Sequence, residues 1–295
     1  MTTLEPAVRV RGLTKNYGAK QAVAGIDFDI ERGEVFALLG PNGAGQSTTI
    51  KILEGYRSRT GGDVSVLGVD PAKGGLDWKA SLGLVLQSTA ETTGVTVREQ
   101  VAHFASLYPN PRDIDETIDA VGLTDKAGAR ISKLSGGQKR RVDVALGIIG
   151  RPELLFLDEP TTGFDPEARR QFWKLIRSLS EEGTTILLTT HYLDEAAHLG
   201  HRAGVIAGGE IVALGPTSTL GGEGARVPIV RWRDAAGALR EERTTEPGRF
   251  VSSLVGDGPE PDALEIIRPS LEDIYLELVG ADADGSVITE TEAAA

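Results

Sequence analysis

The sequence predicts an α/β fold with a largely parallel β-sheet, and three observations indicate it. The stretches "VFALLG", "LLFLDEP" and "TTILLTT" are short apolar runs, typical of strands buried on both faces of a sheet. Helix-like stretches separate these runs along the chain, as they do where helices connect parallel strands. The chain has 295 residues, of which 40% are hydrophobic, enough to fill a core of this size. We therefore expect a mixed or parallel sheet core in one large domain.

The elements follow in order along the chain. Residues 22–30, "AVAGIDFDI", alternate apolar and acidic as a half-buried strand does, and "ERGE" then predicts a turn. Between about 88 and 150 strand patterns give way to three helix-like stretches: "TVREQVAHFASLY", "DIDETIDAVGL" and "GGQKRRVDVALGII". The first begins with Thr96 and Glu99 at capping-box spacing. This region is predicted to be a helical subdomain.

A change of pattern near residue 220 marks the predicted end of the large domain. A hairpin is expected at "AGVIAGGEIVALG", turning on Gly208 and Gly209. Residues 221–280 then carry strand-like "VPIVRW" and "ALEIIRP" and helix-like "SLEDIYLELVG", which predicts a small α+β extension. Residues 281–295 have the composition of a disordered tail.

Charge and composition exclude several classes of function. The formal net charge is −12 and the pI is about 4.9, whereas a nucleic-acid face or a polybasic membrane patch needs excess Lys and Arg. No run approaches the roughly 20 apolar residues of a spanning helix, and "MTTLEPAVRV" lacks signal-peptide features. We expect a cytoplasmic protein that reaches a membrane only through a partner. With no cysteine and four scattered histidines, any metal would be a hard cation held by oxygen.

The stretch "GPNGAGQSTT" nearly matches the phosphate-binding pattern G-x-x-x-x-G-K-[ST]. Gly40 and Gly45 have the required spacing after a buried strand, and a helix is predicted from Ser47 to about Tyr56. In such loops backbone N–H groups and the helix N-terminus face the phosphates. Ser47 lies where a hydroxyl would bind Mg²⁺, but Gln46 stands in place of the lysine. Alone, the loop could equally be an ordinary strand-to-helix turn.

Two further motifs favour the phosphate interpretation. Asp158 and Glu159 end an apolar run, so one carboxylate could serve Mg²⁺ while the other acts as general base for a water. A strand ending in two acids is nevertheless often only solvated. "LSGGQ", residues 134–138, places Ser and two glycines at a helix start, which exposes N–H groups toward an anion. This second loop is not expected to reach the phosphate loop of its own chain.

These residues resemble the ATP-binding cassette family, the nucleotide-binding subunits of ABC transporters. The motifs "GPNGAGQST", "LSGGQ", "LLFLDEP", "TTGFDP" and a histidine after "ILLTT" occur in the family's order, and the resemblance covers roughly residues 7–220. It implies that ATP and Mg²⁺ are bound and that Tyr17 stacks on adenine. The residues that would hold the nucleotide in this way are Tyr17, Gly40, Pro41, Asn42, Gly43, Ala44, Gly45, Gln46, Ser47 and Thr48.

The resemblance also implies catalytic and coupling roles. Glu159, His191 and Gln87 would be catalytic, and Ser47, Gln87 and Asp158 would serve the metal. The residues that would complete the site of a second copy are Ser135, Gly136, Gly137 and Gln138, with Asp165 at the junction. Function would therefore require a second cassette, as a homodimer, and an integral membrane permease subunit.

The end of the chain resembles a subfamily more loosely. "SLEDIYLELVG" after a short strand is similar to the C-terminal extension of the daunorubicin-resistance type of exporter ATPase. The resemblance implies export of a drug, lipophilic compound or secondary metabolite. Two rival classes stay open. One is a soluble ABC protein of DNA repair or translation, without a membrane partner, and the other is a non-hydrolysing nucleotide sensor.

Gln46 is the main departure from the family pattern. Its amide can donate a hydrogen bond but lacks a positive charge, and a charge pair at about 4 Å contributes about 4 kcal/mol at an effective dielectric of 20. We expect weak ATP binding or slow hydrolysis. A natural pseudo-ATPase, a natural enzyme that compensates elsewhere and an introduced substitution are all open. The single change among intact motifs fits the last best. Lys51, one turn further, is not expected to reach the γ-phosphate.

Overall fold

A six-stranded sheet carries the residues of interest in the computed structural model of the chain, which describes residues 5–86, 94–234, 236–256 and 258–283. The chain divides into two compact units, residues 1–216 and 217–295. The strands of the first unit are β1 Val8–Tyr17, β2 Lys20–Ile30, β3 Val35–Leu39, β4 Gly61–Val66, β5 Leu82–Val85, β6 Leu154–Asp158, β7 Thr185–Thr189, β8 Arg202–Ala207 and β9 Glu210–Pro216.

Helices surround these strands. The α-helices of the first unit are α1 Gln46–Leu53, α2 Leu76–Ala80, α3 Val97–Ala105, α4 Ile114–Ala120, α5 Gly136–Ile148, α6 Pro166–Glu181 and α7 Leu193–Leu199. Short 3₁₀ helices lie at Pro71–Lys73, Thr124–Lys126 and Ile131–Lys133.

The main sheet has the strand order β5-β6-β7-β3-β8-β9, and its first five strands are parallel. Val35 on β3 pairs with Ile186 on β7, and Phe36 pairs with Arg202 on β8. The predicted strands at β2, β3, β6 and β7 are confirmed. The hairpin is also confirmed, since Gly208 and Gly209 both have positive φ between antiparallel β8 and β9.

Two apolar cores flank this sheet. A smaller antiparallel sheet, β2-β1-β4, covers one face, where Phe28 stacks on Phe36 with ring centroids 5.5 Å apart. On the other side, α3, α4, α5 and α6 pack together around residues such as Val101, Ile148 and Phe172. The three helices predicted between residues 88 and 150 are therefore confirmed, and Thr96 and Glu99 form the predicted capping box on α3.

The second unit contains a three-stranded antiparallel sheet of order β11-β10-β12 and two helices. Its elements are a 3₁₀ helix Gly224–Arg226, β10 Ile229–Arg233, β11 Leu239–Arg243, α8 Pro247–Val255, β12 Glu265–Ile267 and α9 Leu271–Ala283. The predicted strands at β10 and β12 and the helix at α9 are confirmed. Helix α9 extends three residues into the segment predicted as a tail, and the rest of that segment lies outside the described residues.

Strands β1, β4 and β11 and helix α8 were not predicted from the sequence. The end of α1 was predicted at Tyr56, whereas the helix ends at Leu53 because Gly55 adopts a φ of 73°.

Candidate nucleotide and phosphate site

The loop between β3 and α1 is shaped by glycines, two of which have positive φ. Gly43 has φ +83° and Gly45 has φ +113°, conformations that other residues adopt only with strain. A Cβ on Gly40 would lie 2.3 Å from the carbonyl oxygen of Ile206, and one on Gly45 would lie 2.5 Å from that of Ala22. From the sequence, these glycines are predicted to allow the close approach of phosphate. The structure adds that Gly40 and Gly45 are also required by packing within the protein, because a Cβ at either position would clash with a backbone carbonyl.

A cavity of about 160 Å³ lies beside this loop. The N-terminus of α1 begins there, so unpaired N–H groups and the positive end of the helix dipole contribute to it. The cavity is lined by Gly40, Asn42, Gly43, Gly45, Gln46, Ser47, Thr48, Asp158, Glu159, Thr189, Thr190 and His191. The structure thus brings the predicted loop together with the ends of β6 and β7.

Pro41 and Ala44 do not line the cavity with the rest of the loop. Pro41 is exposed, and its carbonyl accepts a 3.1 Å hydrogen bond from the backbone N–H of Ala44. The Ala44 side chain packs into the apolar core instead. These two residues therefore stabilise the turn of the loop by their hydrogen bond and by the packing of Ala44.

Gln46, the departure from the phosphate-loop pattern, is half-buried and has a partner. Its Nε2 atom donates a 2.8 Å hydrogen bond to the carbonyl oxygen of Leu38, at the end of β3. No lysine or arginine stands among the lining residues in the parts of the chain that the structure describes. Lys51 lines a neighbouring cavity of about 520 Å³ with Glu54 and Tyr56, and this cavity shares Ser47 and Asp158 with the first.

The end of β6 presents two carboxylates to the cavity. Asp158 Oδ1 accepts a 2.6 Å hydrogen bond from the hydroxyl of Thr189, on the neighbouring strand β7. Glu159 follows in a left-handed conformation, with φ 47°, and its N–H donates to the carbonyl of Thr189 at 3.0 Å. A positive φ costs a residue with a side chain roughly 1–2 kcal/mol, so the surrounding contacts must hold it.

His191 lies beside Glu159 at the mouth of the cavity. Its Nδ1 atom is 3.4 Å from Glu159 Oε1, and its ring lies 4.0 Å from the ring of Tyr192. The backbone N–H of Tyr192 is held by the hydroxyl of Thr190 at 3.0 Å. The predicted general base and the predicted histidine are therefore neighbours on adjacent strand ends.

Tyr17 lies at the end of β1 and is not among the cavity residues. It is 41% exposed, and its hydroxyl accepts a hydrogen bond from the guanidinium of Arg57. Burial would raise the pKa of Tyr17, but hydrogen bonds with Arg57 and Thr48 outweigh it, so the pKa is lowered. An exposed aromatic ring within reach of Thr48 has the right character to stack on a base beside the loop.

The "LSGGQ" loop also lies away from the cavity, as expected. Ser135 caps α5: its hydroxyl accepts from the N–H of Gln138 at 3.3 Å, and Gln138 Oε1 accepts from the N–H of Ser135 at 3.0 Å. A Cβ on Gly137 would lie 2.9 Å from the carbonyl of Gly163, whereas Gly136 faces open space. The start of α5 therefore packs closely on the loop that follows β6.

Asp165 ends that loop as the N-cap of α6. It accepts hydrogen bonds from the N–H groups of Glu167 at 3.0 Å and Ala168 at 2.8 Å. The Ala168 hydrogen bond is the largest cause of its lowered pKa. Phe164, the residue before Asp165, packs edge-on against Phe172 at 5.9 Å.

Gln87, predicted to serve both metal and water, lies outside the described residues. Two residues near the site were not predicted from the sequence. Thr189 donates a hydrogen bond to Asp158, and the guanidinium of Arg140 contacts the ends of β5 and β6. The sequence feature that could have identified Thr189 is a hydroxyl residue at the end of β7, the next parallel strand along the chain after β6. Arg140 lies four residues before buried Val144, on the same face of α5. A charged residue at a position that faces the core was the sequence feature that could have identified it.

The cavity has the chemistry of a phosphate and hard-cation site. Exposed backbone N–H groups at a helix N-terminus favour phosphate oxygens. The Ser47 hydroxyl and the Asp158 carboxylate line the same cavity, and oxygen donors of this kind suit Mg²⁺. The same cavity is also lined by a second carboxylate, Glu159, and by the imidazole of His191.

Comparisons with known protein families agree with this chemistry. A family model described as "ABC transporter" matches residues 23–162. The chain is 39% identical over 309 residues to a daunorubicin/doxorubicin resistance ATP-binding protein of Streptomyces peucetius, covering 94% of each. It is 42% identical over 299 residues to a Nod factor export ATP-binding protein of Rhizobium meliloti, covering 94% of this chain and 89% of that one.

The fold is also found among solved structures. A structure described as the ATP-binding subunit of an ABC transporter superposes with a TM-score of 0.69. The match covers 92% of this chain and 99% of the other, at 23% sequence identity. Since the identity is low, the likeness concerns the fold alone.

Proposed function

The chain belongs to the ABC transporter family of ATP-binding proteins, and on that basis we propose that it is the ATP-binding and ATP-hydrolysing subunit of a bacterial exporter. The observation that carries this proposal is the cavity that joins the glycine loop to Glu159 and His191. The relatives are named for a drug and for a Nod factor, so the cargo of this chain is proposed only as a drug, lipophilic compound or secondary metabolite.

In the proposed mechanism the loop residues hold the triphosphate and the strand ends perform the chemistry. The loop from Gly40 to Thr48, which includes the start of α1, would bind the phosphate oxygens. Ser47 and Asp158 would hold Mg²⁺, which neutralises phosphate charge when bound. Glu159 would accept a proton from the attacking water as the water oxygen bonds to the γ-phosphorus. The bond from the γ-phosphorus to the bridging oxygen would break, and ADP would leave with that oxygen. His191 beside it would contact the γ-phosphate, and Gln87 is proposed to approach the same water.

Gln46 is proposed to slow this reaction. Its side chain is engaged with the Leu38 carbonyl and carries no charge, so the negative charge that develops on the phosphates lacks a cation from the loop. Loss of even half of a 4 kcal/mol charge interaction corresponds to about thirtyfold in rate or affinity. Hydrolysis by this chain is therefore expected to be reduced but not structurally prevented.

A second copy of the chain is proposed to complete the site. Ser135, Gly136 and Gly137 lie outside their own cavity, and Gly136 faces open space, which supports their contacting the γ-phosphate held by another subunit. Tyr17 is proposed to stack on adenine, and Asp165 to lie near the junction. ATP would then join two cassettes as a homodimer.

A membrane permease subunit is the other proposed partner. None of the helices among the described residues has the length and apolar character needed to cross a membrane. We propose that the chain acts at the cytoplasmic face of the membrane through that subunit. Residues 1–220 are proposed as the ATP-binding domain and 221–280 as an accessory domain, close to the division after Pro216 between the two compact units.

A non-hydrolysing nucleotide sensor is the second candidate function, and Gln46 favours it. Such a protein would bind ATP and dimerise without turnover, even after Gln46 is replaced by lysine. A soluble ABC protein of DNA repair or translation is a third class, and it would have no permease.

The experiment that tests the exporter assignment is purification of the tagged chain from gently solubilised membranes of its own host. Cross-linking precedes solubilisation, and the integral membrane proteins recovered are identified by mass spectrometry. Recovery of a polytopic membrane protein in stoichiometric amount, lost when the chain is untagged, is expected. Quantitative recovery of the chain from the soluble fraction, with no such protein, would contradict the assignment.

A further inference from the structure

Arg140 is a buried cation that the mechanism above does not use. It lies on α5, five residues after Ser135, and only 5% of it is exposed. Its side chain does not reach the phosphate cavity as the structure describes it. Arginine is rarely buried unless its N–H groups are satisfied, so its partners indicate what it holds.

The guanidinium donates to carbonyl oxygens at the ends of two neighbouring strands. One Nη atom bonds the carbonyl of Leu86, just after β5. The other bonds the carbonyl of Asp158 and, at 3.2 Å, that of Glu159, while Nε donates to Pro160 at 3.3 Å. A single side chain therefore joins α5 to the end of β5 and to three consecutive residues at the end of β6.

Three of these four carbonyls, those of Asp158, Glu159 and Pro160, belong to a segment with a strained backbone. Glu159 has φ 47° and directly follows Asp158, the last residue of β6, which pairs with Thr189 on β7. The planar fork of arginine has five N–H donors in fixed directions and can satisfy several carbonyls at once. Lysine offers three donors from a single point, so it would cover fewer of them.

The charges around Arg140 come from its own helix and from β6. Asp143 Oδ2 lies 4.0 Å from Nη1, and Asp158 and Glu159 face it from the strand end. Burial lowers the pKa of Arg140, and these three carboxylates oppose that effect. The positive charge of Arg140 is therefore balanced by nearby carboxylates although the side chain is buried. Its hydrogen bonds fix the positions of the carbonyl groups around it.

We propose that Arg140 is a positioning residue that holds Glu159 in its left-handed conformation and ties the helix of the "LSGGQ" loop to the reacting strand ends. A movement of the start of α5 would be transmitted through this side chain to the Asp158–Glu159 peptide. This inference deepens the proposed ATPase function, and its consequence for hydrolysis rests on that function.

The first test measures the local structure and needs no activity. Amide hydrogen exchange is followed in the chain with Arg140→Met, Arg140→Gln and Arg140→Lys, and with Arg141→Met as the matched control. Arg141 is the next residue on α5, carries the same charge and donates instead to the carbonyl of Gly122. Arg140→Met is expected to speed exchange of the Glu159 and Thr162 amides by about tenfold, with Arg140→Lys intermediate.

The inference is supported if Arg140→Met speeds amide exchange only at the ends of β5 and β6, and if Arg141→Met does not change exchange there. If Arg140→Met destabilises the whole unit, Arg140→Gln, which keeps two N–H donors and removes the charge, provides the same comparison. Unchanged exchange at residues 158–162, or an increase spread evenly over the unit in every Arg140 variant, would overturn it.

The second test uses hydrolysis in the Gln46→Lys background. Arg140→Met is expected to lower kcat about tenfold with ATP affinity changed less than about twofold, and Arg140→Lys to recover part of the rate. Equal losses in affinity and rate would show a general structural role instead. If Gln46→Lys itself is inactive, the proposed function fails while the exchange experiment still decides the role of Arg140.

Discussion

The Nε2 atom of Gln46 lies 2.8 Å from the carbonyl oxygen of Leu38 and donates a hydrogen bond to it. This contact ties the first residue of α1 to the next-to-last residue of β3. The cavity beside it still contains Asp158, Glu159 and His191. The cavity thus combines an uncharged side chain at position 46 with two carboxylates and a histidine.

Glu159→Gln, made in the Gln46→Lys background, is expected to lower ATP hydrolysis by about a hundredfold or more, because the proposed general base is lost. ATP binding should be kept, since the glutamine is nearly isosteric and removes a negative charge near the phosphates. Hydrolysis is measured by phosphate release and binding by a fluorescent ATP analogue. Residual turnover within about threefold of the background would argue against Glu159 as the base.

His191→Ala in the same background is expected to reduce kcat by about ten- to a hundredfold, because the side chain 3.4 Å from Glu159 is removed. The matched control is His198→Ala. His198 packs on Trp173 at 4.4 Å and does not line the cavity in the described part of the chain. Steady-state kinetics should separate the two, and an equal loss in both variants would contradict the assigned role.

Gly40→Ala is expected to destabilise the protein by about 3 kcal/mol, because its Cβ would lie 2.3 Å from the Ile206 carbonyl. Gly43→Ala is the comparison: its Cβ would meet open space, so only the cost of a φ of +83° remains, about 1 kcal/mol. Denaturant unfolding followed by circular dichroism checks the order. A larger loss for Gly43→Ala would refute the packing argument.

Glu54→Gln is expected to change how stability depends on pH. Burial, together with the charge of Asp158 and against that of Lys51, raises the pKa of Glu54 to about 7. The folded state therefore holds a proton that the unfolded state loses near its ordinary pKa of about 4.5, so stability falls as pH rises from about 4.5 to 7. The total change is about 3 kcal/mol.

Thermal unfolding at pH 5 and pH 8 tests this prediction. Glu54→Gln should be more stable relative to the parent at pH 8 than at pH 5, because glutamine carries no such penalty. Glu210→Gln, at an exposed carboxylate in the β8–β9 hairpin, is the control and should show no difference between the two pH values. If Glu54→Gln changed the melting temperature equally at both pH values, the raised pKa of Glu54 would be contradicted.

Much of the fold could be predicted because buried parallel strands leave a plain pattern. Strands β3 and β7 have every residue buried and appear in the sequence as continuous apolar runs. β11, in contrast, is exposed at every position and reads "LREER", so no pattern of burial marks it. β1 alternates valine and arginine at its start, a signal that was present but interrupted by Gly12 at φ +55°.

The candidate site was predicted where motifs have a fixed spacing, and missed where contacts cross between elements. The loop from Gly40 to Thr48 and the Asp158–Glu159 pair are local patterns in the sequence. The Thr189 hydroxyl on Asp158 depends on which strand lies next to β6, which the sequence does not state. The same holds for Arg140, whose carbonyl partners are 18 to 54 residues away along the chain.

The measurement that tests the central claim most directly is Mg²⁺-dependent ATP hydrolysis, with ATP affinity, for this chain beside its Gln46→Lys variant. The account predicts that the lysine variant turns over ATP about thirtyfold faster, or binds it correspondingly more tightly, because a cation returns to an otherwise complete site. Equal activity in the two would contradict the role given to Gln46. ATP-dependent dimerisation without turnover in the lysine variant would favour the sensor instead.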